Sequence, residues 1–202
     1  MLIGLDFDNT IVCYDQAIAI LADKLFDLPP NISRTKLSLR DYLRSENREP
    51  EWTAFQGELY GPGMKYAVAF QGAQSAMKQL KSLGHRLVII SHRSRYPYAG
   101  TQYDLHKSAR AWISNNLLHE KNPPLVSEDI NFFETRGEKI ASIRKSNCTV
   151  FLDDLPEVLE DENFPQSTHG FLFSPDENVE STNHISLKAW KELPALISKL
   201  AY

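Results

Sequence analysis

Three apolar runs in this chain each stop abruptly at polar residues. Leu2-Ile3-Gly4-Leu5 runs into Asp6-Phe7-Asp8-Asn9-Thr10, Leu87-Val88-Ile89-Ile90 into Ser91-His92-Arg93, and Val150-Phe151-Leu152 into Asp153-Asp154. Short continuous apolar runs are the pattern of parallel strands buried on both faces. Around them, helical spacing predicts amphipathic helices over Ala73 to Leu83, Asp104 to Leu118 and Gly137 to Lys145. The first ends at Gly84 as a C-cap and feeds a strand from Arg86 to Ile90, the order a right-handed crossover requires. Ile130-Asn131-Phe132-Phe133 reads as a short strand, Thr149 to Leu152 as another, Phe171-Leu172-Phe173 as a last strand and Leu187 to Leu200 as a closing helix. Strands alternating with helices predict an α/β fold built on a Rossmann-like, doubly wound parallel sheet.

The stretch from about Tyr14 to Tyr66 breaks this alternation. Ile18, Leu21, Leu25 and Phe26 follow one helical spacing, and Leu37, Leu39, Tyr42 and Leu43 another, with Pro29-Pro30-Asn31 between them. A third helix is predicted over Glu51 to Leu59, closed by Gly61-Pro62-Gly63. The domain reading is a core of residues 1–13 and 67–202 carrying a small helical insertion at 14–66. Residues Tyr96 to Thr101 form an aromatic loop; Tyr96, Tyr98 and Tyr103 could line a pocket mouth, and packing is the preferred reading for them, as for Trp52, Trp112 and Trp190.

Composition narrows the function classes. A formal net charge of −4 over 202 residues offers no broad basic footprint for nucleic acid. No apolar run approaches spanning length and no leader precedes the first strand, so the expectation is a cytoplasmic protein with no membrane association. Cys13 and Cys148 are expected to be free thiols.

Open α/β sheets bind ligands at the carboxyl ends of their strands. If the three runs lie side by side, four carboxylates and a hydroxyl converge on one crevice. So many like charges need captured protons or a bound cation, and Mg²⁺ is the natural occupant of an oxygen-rich site. Asp6 and Asp8 stand two apart, so both can face the crevice while Phe7 points away. Each motif alone has a bland reading: an Asp-rich turn, a serine that caps the next element, a solvated acidic pair. Their combination, in this order, carries the argument.

With these residues in view, the chain resembles the haloacid dehalogenase (HAD) superfamily of hydrolases, most closely its phosphatase branch. Asp6-Phe7-Asp8-Asn9-Thr10 is similar to that superfamily's first motif, Ser91 to its second and Asp153-Asp154 to its fourth. Lys139 best fits the third-motif cation, with Arg136 and Lys145 as rivals. The insertion matches a C1-type cap in position only.

The resemblance implies that Asp6 is the nucleophile, forming an aspartyl-phosphate, and that Asp8 protonates the leaving oxygen and then activates water. It implies Mg²⁺ held by Asp6, the backbone carbonyl of Asp8, Asp153 and Asp154, with Ser91 and Lys139 on phosphoryl oxygens. Thr10, His92 and Arg93 complete the expected substrate contacts; an ion pair with a neighbouring acid is the other reading of Arg93, and a hydrogen-bonded wall residue that of His92. An acid at position 8 favours esters over halides, because an alkoxide needs a proton to leave and a halide does not. The expected partner is a small phosphorylated metabolite; the sequence carries no sign of oligomeric state. A phosphotransferase or mutase and a non-catalytic binding protein are the alternatives.

Overall fold

The computed structural model describes residues 1–119, 121–176 and 184–200. In chain order the strands are β1 (Leu2–Leu5), β2 (Val12–Cys13), β3 (Val68–Ala69), β4 (Arg86–His92), β5 (Ile130–Phe133), β6 (Val150–Asp153), β7 (His169–Phe173) and β8 (Ile185–Leu187). The helices are α1 (Asp15–Leu25), α2 (Lys36–Ser45), α3 (Glu49–Tyr60), α4 (Ala73–Ser82), α5 (Leu105–Ile113), α6 (Arg136–Ser146), α7 (Pro156–Leu159) and α8 (Leu193–Leu200). The chain divides into two compact units: Met1–Val12, Ala69–Arg93 and the chain from Asn116 onward form one, Cys13–Val68 and Ser94–Asn115 the other.

The first unit is an α/β domain. Its six strands form one wholly parallel sheet in the order β5-β4-β1-β6-β7-β8. The chain steps one way from β1 to β4 and β5, then the other way to β6, β7 and β8. Right-handed crossovers running in opposite directions put their helices on opposite faces, α4 on one and α6 and α7 on the other. Val88, Ile90, Phe151 and Leu172 pack with Ile140 and Ile143 of α6 and Val158 and Leu159 of α7. Gly4 lies opposite Phe151 in the register, and a Cβ there would come within 2.4 Å of the Phe151 ring.

Two sequence expectations are corrected here. Phe173 does not end the last strand: β8 follows, and Leu187 belongs to it rather than to the closing helix, which starts at Leu193 after a 3₁₀ turn. Leu187 falls on the same helical spacing as Trp190, Leu193 and Ile197, and a three-residue strand is too short to show its own period. The helix predicted from Asp104 to Leu118 is α-helical only to Ile113, with Asp104 as its N-cap, and continues as a π-turn over Ser114–Leu118.

The second unit is helical. Trp52 stacks on Phe55 at 5.7 Å between ring centroids, Phe26 lies 5.8 Å from Phe55, and Leu39, Leu43 and Leu59 are buried. Residues 94–115, read from sequence with the sheet, pack within this compact unit. A Cβ at Gly57 would come within 2.9 Å of Pro97, and one at Gly61 within 2.9 Å of Tyr103, so both glycines permit that approach. Trp112 is fixed by donating Nε1–H to the Ala67 carbonyl at 2.9 Å. The packing expected of the loop tyrosines holds for Tyr103, whose hydroxyl donates to Glu58 at 3.0 Å, but not for Tyr98, which is 89% exposed. No helix among the described residues is long and apolar enough to cross a membrane.

Candidate active site

Strand register assembles the site. Leu5 pairs with Ile89 of β4 on one side and Leu152 of β6 on the other, so Asp6, Ser91 and Asp153 leave three adjacent strands at the same edge. The Asp6 N–H donates to the Leu152 carbonyl at 2.8 Å, extending the ladder one residue into the site. Phe7 turns back into the core, packed edge-on against Phe132 at 5.6 Å. The chain then reverses: Asn9 takes a left-handed φ of 56°, which asparagine tolerates better than most residues, and Ile11 and Val12 donate to the Phe7 carbonyl.

Asp6, Asp153 and Asp154 present carboxylate oxygens within 4.8 Å of one another. Lys139 is fully buried beneath them, its Nζ 2.7 Å from Asp6 Oδ1 and 2.6 Å from Asp153 Oδ2. A capping box places this lysine: Thr135 accepts from the Glu138 N–H, and Glu138 accepts from the Thr135 N–H, so α6 starts in a fixed frame one turn before Lys139. The rivals lie elsewhere: Arg136 pairs with Asp161 at 3.6 Å, and Lys145 is exposed.

One ammonium cannot balance the buried Asp6 and Asp153 together with the half-buried Asp154. Burial pushes Asp154 up to about 8, with Asp6 and Asp153 adding repulsion. Burial likewise pushes Asp153 up to about 7, against the pull of Lys139. Burial opposes the charge on Lys139, but Asp6 and Asp153 outweigh it and hold the ammonium charged. A hard divalent cation among these oxygens would replace the surplus protons, so the donor set fits Mg²⁺.

The other predicted site residues fall around this cluster. Thr10 Oγ1 lies 3.4 Å from Asp6 Oδ2 and 3.3 Å from Asp154 Oδ1. Ser91 is buried, and its Oγ has no hydrogen-bond partner among the described residues, which suits a hydroxyl kept for a ligand oxygen. His92 is half-buried; burial, and then Lys139, lower its pKa. The Asp8 carboxylate is not among the three gathered acids. Its Oδ1 is 3.6 Å from Arg93 Nη1, so the ion-pair reading of Arg93 describes what the structure contains.

Trp190 contributes something its reading as packing missed. It is fully buried and donates Nε1–H to the Thr10 carbonyl at 2.9 Å, tying the turn after Asp8 to the C-terminal part of the chain. Nothing local in the sequence links two residues so far apart. Both cysteines are free thiols; burial pushes the Cys148 thiol up to about 11, and the Cys13 Sγ lies 3.4 Å from Asp15.

No family model matches the chain, and no curated protein matches it either. Solved structures do. A HAD-superfamily hydrolase from Ehrlichia chaffeensis aligns with a TM-score of 0.57 at 14% identity, covering 99% of this chain and 97% of the other. A protein described as a predicted phosphatase from Clostridium acetobutylicum aligns with a TM-score of 0.61 at 13% identity, over 98% of each chain. The HAD-type protein YfnB from Bacillus subtilis, solved with bound magnesium, aligns with a TM-score of 0.60 at 13% identity, over 97% of each chain. Dehalogenases occur among the similar structures too, so the likeness shows the α/β fold and leaves the reaction to be argued from the site.

Proposed function

We propose that this protein is a Mg²⁺-dependent HAD-type phosphatase that hydrolyses a small phosphate monoester through an aspartyl-phosphate. The observation that carries the reading is the division of the four acids: Asp6, Asp153 and Asp154 gather their oxygens, the first two on the buried Lys139, while Asp8 pairs with Arg93. The first group suits a cation and a nucleophile; the second suits a group that must gain and lose a proton. This division also favours esters over the halides that some similar folds act on.

In this reading an Asp6 carboxylate oxygen attacks phosphorus and the ester P–O bond breaks. Asp8 gives its proton to the departing alkoxide. Asp8 then takes a proton from water as that water attacks phosphorus, the bond to Asp6 breaks, and the Asp6 carboxylate and inorganic phosphate are regenerated. Lys139 Nζ and Ser91 Oγ hold phosphoryl oxygens, and Thr10 steadies Asp6. His92 and Arg93 border the substrate. Asp6, Asp153, Asp154 and the Asp8 carbonyl would hold Mg²⁺, which would supply charge neutralisation for the transferring group. A C1-type cap role for the helical part of the chain and a cytoplasmic location belong to the same proposal.

A panel of sugar phosphates, nucleotides, phospho-amino acids and an aryl phosphate tests it. Phosphate release that requires Mg²⁺ and no added acceptor is expected. Release only when a sugar acceptor is supplied would instead indicate a phosphotransferase, and absence of turnover across the panel would refute the enzyme reading.

A further inference from the structure

Asp8 and Arg93 form a second charge pair in the site, built differently from the lysine cluster. Arg93 follows the end of β4, where its N–H donates to the Phe133 carbonyl at 2.8 Å. Its side chain is only 6% exposed. The guanidinium carbon lies 5.9 Å from the centroids of both the Phe7 and the Phe132 rings, which pack edge-on against each other. Two aromatic faces and a backbone anchor therefore fix where this cation sits. Asp8, two residues beyond Asp6, could otherwise turn its carboxylate toward any cation bound by the other three acids. Arg93 Nη1, 3.6 Å from Asp8 Oδ1, provides the competing positive charge.

We propose that Arg93 is a positioning residue that holds the Asp8 carboxylate out of the three-acid cluster, so that Asp8 faces the leaving group rather than the metal. This goes beyond a substrate contact, and its catalytic part rests on the phosphatase reading above. It makes Phe7 and Phe132 part of the same device, because they fix the guanidinium that fixes the acid.

The test is a double-mutant cycle on the full chain with Arg93→Met, Arg93→Lys, Asp8→Asn and the Arg93→Met/Asp8→Asn combination. The first readout is Mg²⁺ affinity by calorimetry. Arg93→Met should tighten binding by about tenfold by releasing Asp8 into the cluster, and by clearly less in the Asp8→Asn background. Equal tightening in both backgrounds would overturn the proposal. The second readout is turnover of an aryl against an alkyl phosphate. Arg93→Met should lose about 10²-fold on the alkyl ester and much less on the aryl ester, and should add little to Asp8→Asn. Equal losses on both esters would also overturn it. Arg93→Lys, which keeps the charge with shorter reach, should fall between wild type and Arg93→Met, and it reads the same coupling if the methionine variant does not fold. Wild-type protein that turns over no ester would refute the phosphatase reading alone, because the affinity cycle still decides the positioning role.

Discussion

The acids and bases under the sheet's carboxyl edge and those on α2 and α3 are the same residue types under opposite solvation. Arg44 and Glu49 meet at 2.5 Å, and Arg48 and Glu51 at 2.7 Å, on helix surfaces open to water. Lys139 meets Asp6 and Asp153 at similar distances with almost no exposure. The exposed pairs match one base to one acid. The inner cluster sets one base against three acids, so its ammonium leaves carboxylate charge that no cation of the chain balances there. Folding alone does not favour such a cluster. Its composition is the one the proposed phosphatase reading calls for, with a further cation and a phosphoryl group to complete it.

Substitutions can break this contrast from the strong end. Asp6→Asn should lower turnover by at least about 10⁴-fold while the melting curve stays cooperative, since it removes one of the crowded charges and the attacking atom together. Retained turnover would remove Asp6 from its role. Lys139→Met should destabilise the metal-free protein by about 3–5 kcal/mol at neutral pH, measured by denaturant unfolding, because it leaves the carboxylates uncompensated. A change under 1 kcal/mol would mean that the acids are already neutral without the lysine. Asp8→Ala should depress turnover by about 10²–10⁴-fold for poor leaving groups and less for good ones.

pH sharpens the same contrast. Asp153 and Asp154 are pushed up to about 7 and about 8, far above an ordinary carboxylate, so the protons they retain on folding are a source of stability at low pH. That contribution is lost as pH rises through the raised values. His85 and His92, lowered by burial, act in the opposite direction, but below about pH 6.5. Above about pH 6.5, where the histidines no longer oppose it, the metal-free protein should therefore lose about 2–3 kcal/mol, several degrees of melting temperature, by about pH 8.5. Mg²⁺ should abolish the decline and stabilise more at the higher pH, because it replaces those protons. A pH-independent Mg²⁺ effect would contradict the shifted acids. At the weak end, Arg44→Gln should leave the melting temperature unchanged within error.

Much of the site was legible because strand ends are written locally. An apolar run followed by Asp6, Ser91 or Asp153 shows both the strand and its mouth. Lys139 was ambiguous with Arg136 and Lys145 because all three lie on one helix and only its frame chooses among them. The frame was present as Thr135-Arg136-Gly137-Glu138, a capping box that puts Lys139 against the sheet. The turning of Asp8 toward Arg93, and the Trp190 anchor on Thr10, depend on contacts between distant segments and leave no local pattern. Strands β2, β3 and β8 escaped because two or three residues carry no measurable period.

The central claim is chemical: the Asp6 carboxylate carries the phosphoryl group. Acid quenching during turnover of a phosphate ester in Mg²⁺, followed by mass spectrometry of the digest, tests it directly. The account predicts a hydroxylamine-labile phosphoryl label on Asp6 that is absent from the Asp6→Asn protein. Label on any other residue, or none while ester is being hydrolysed, would contradict it.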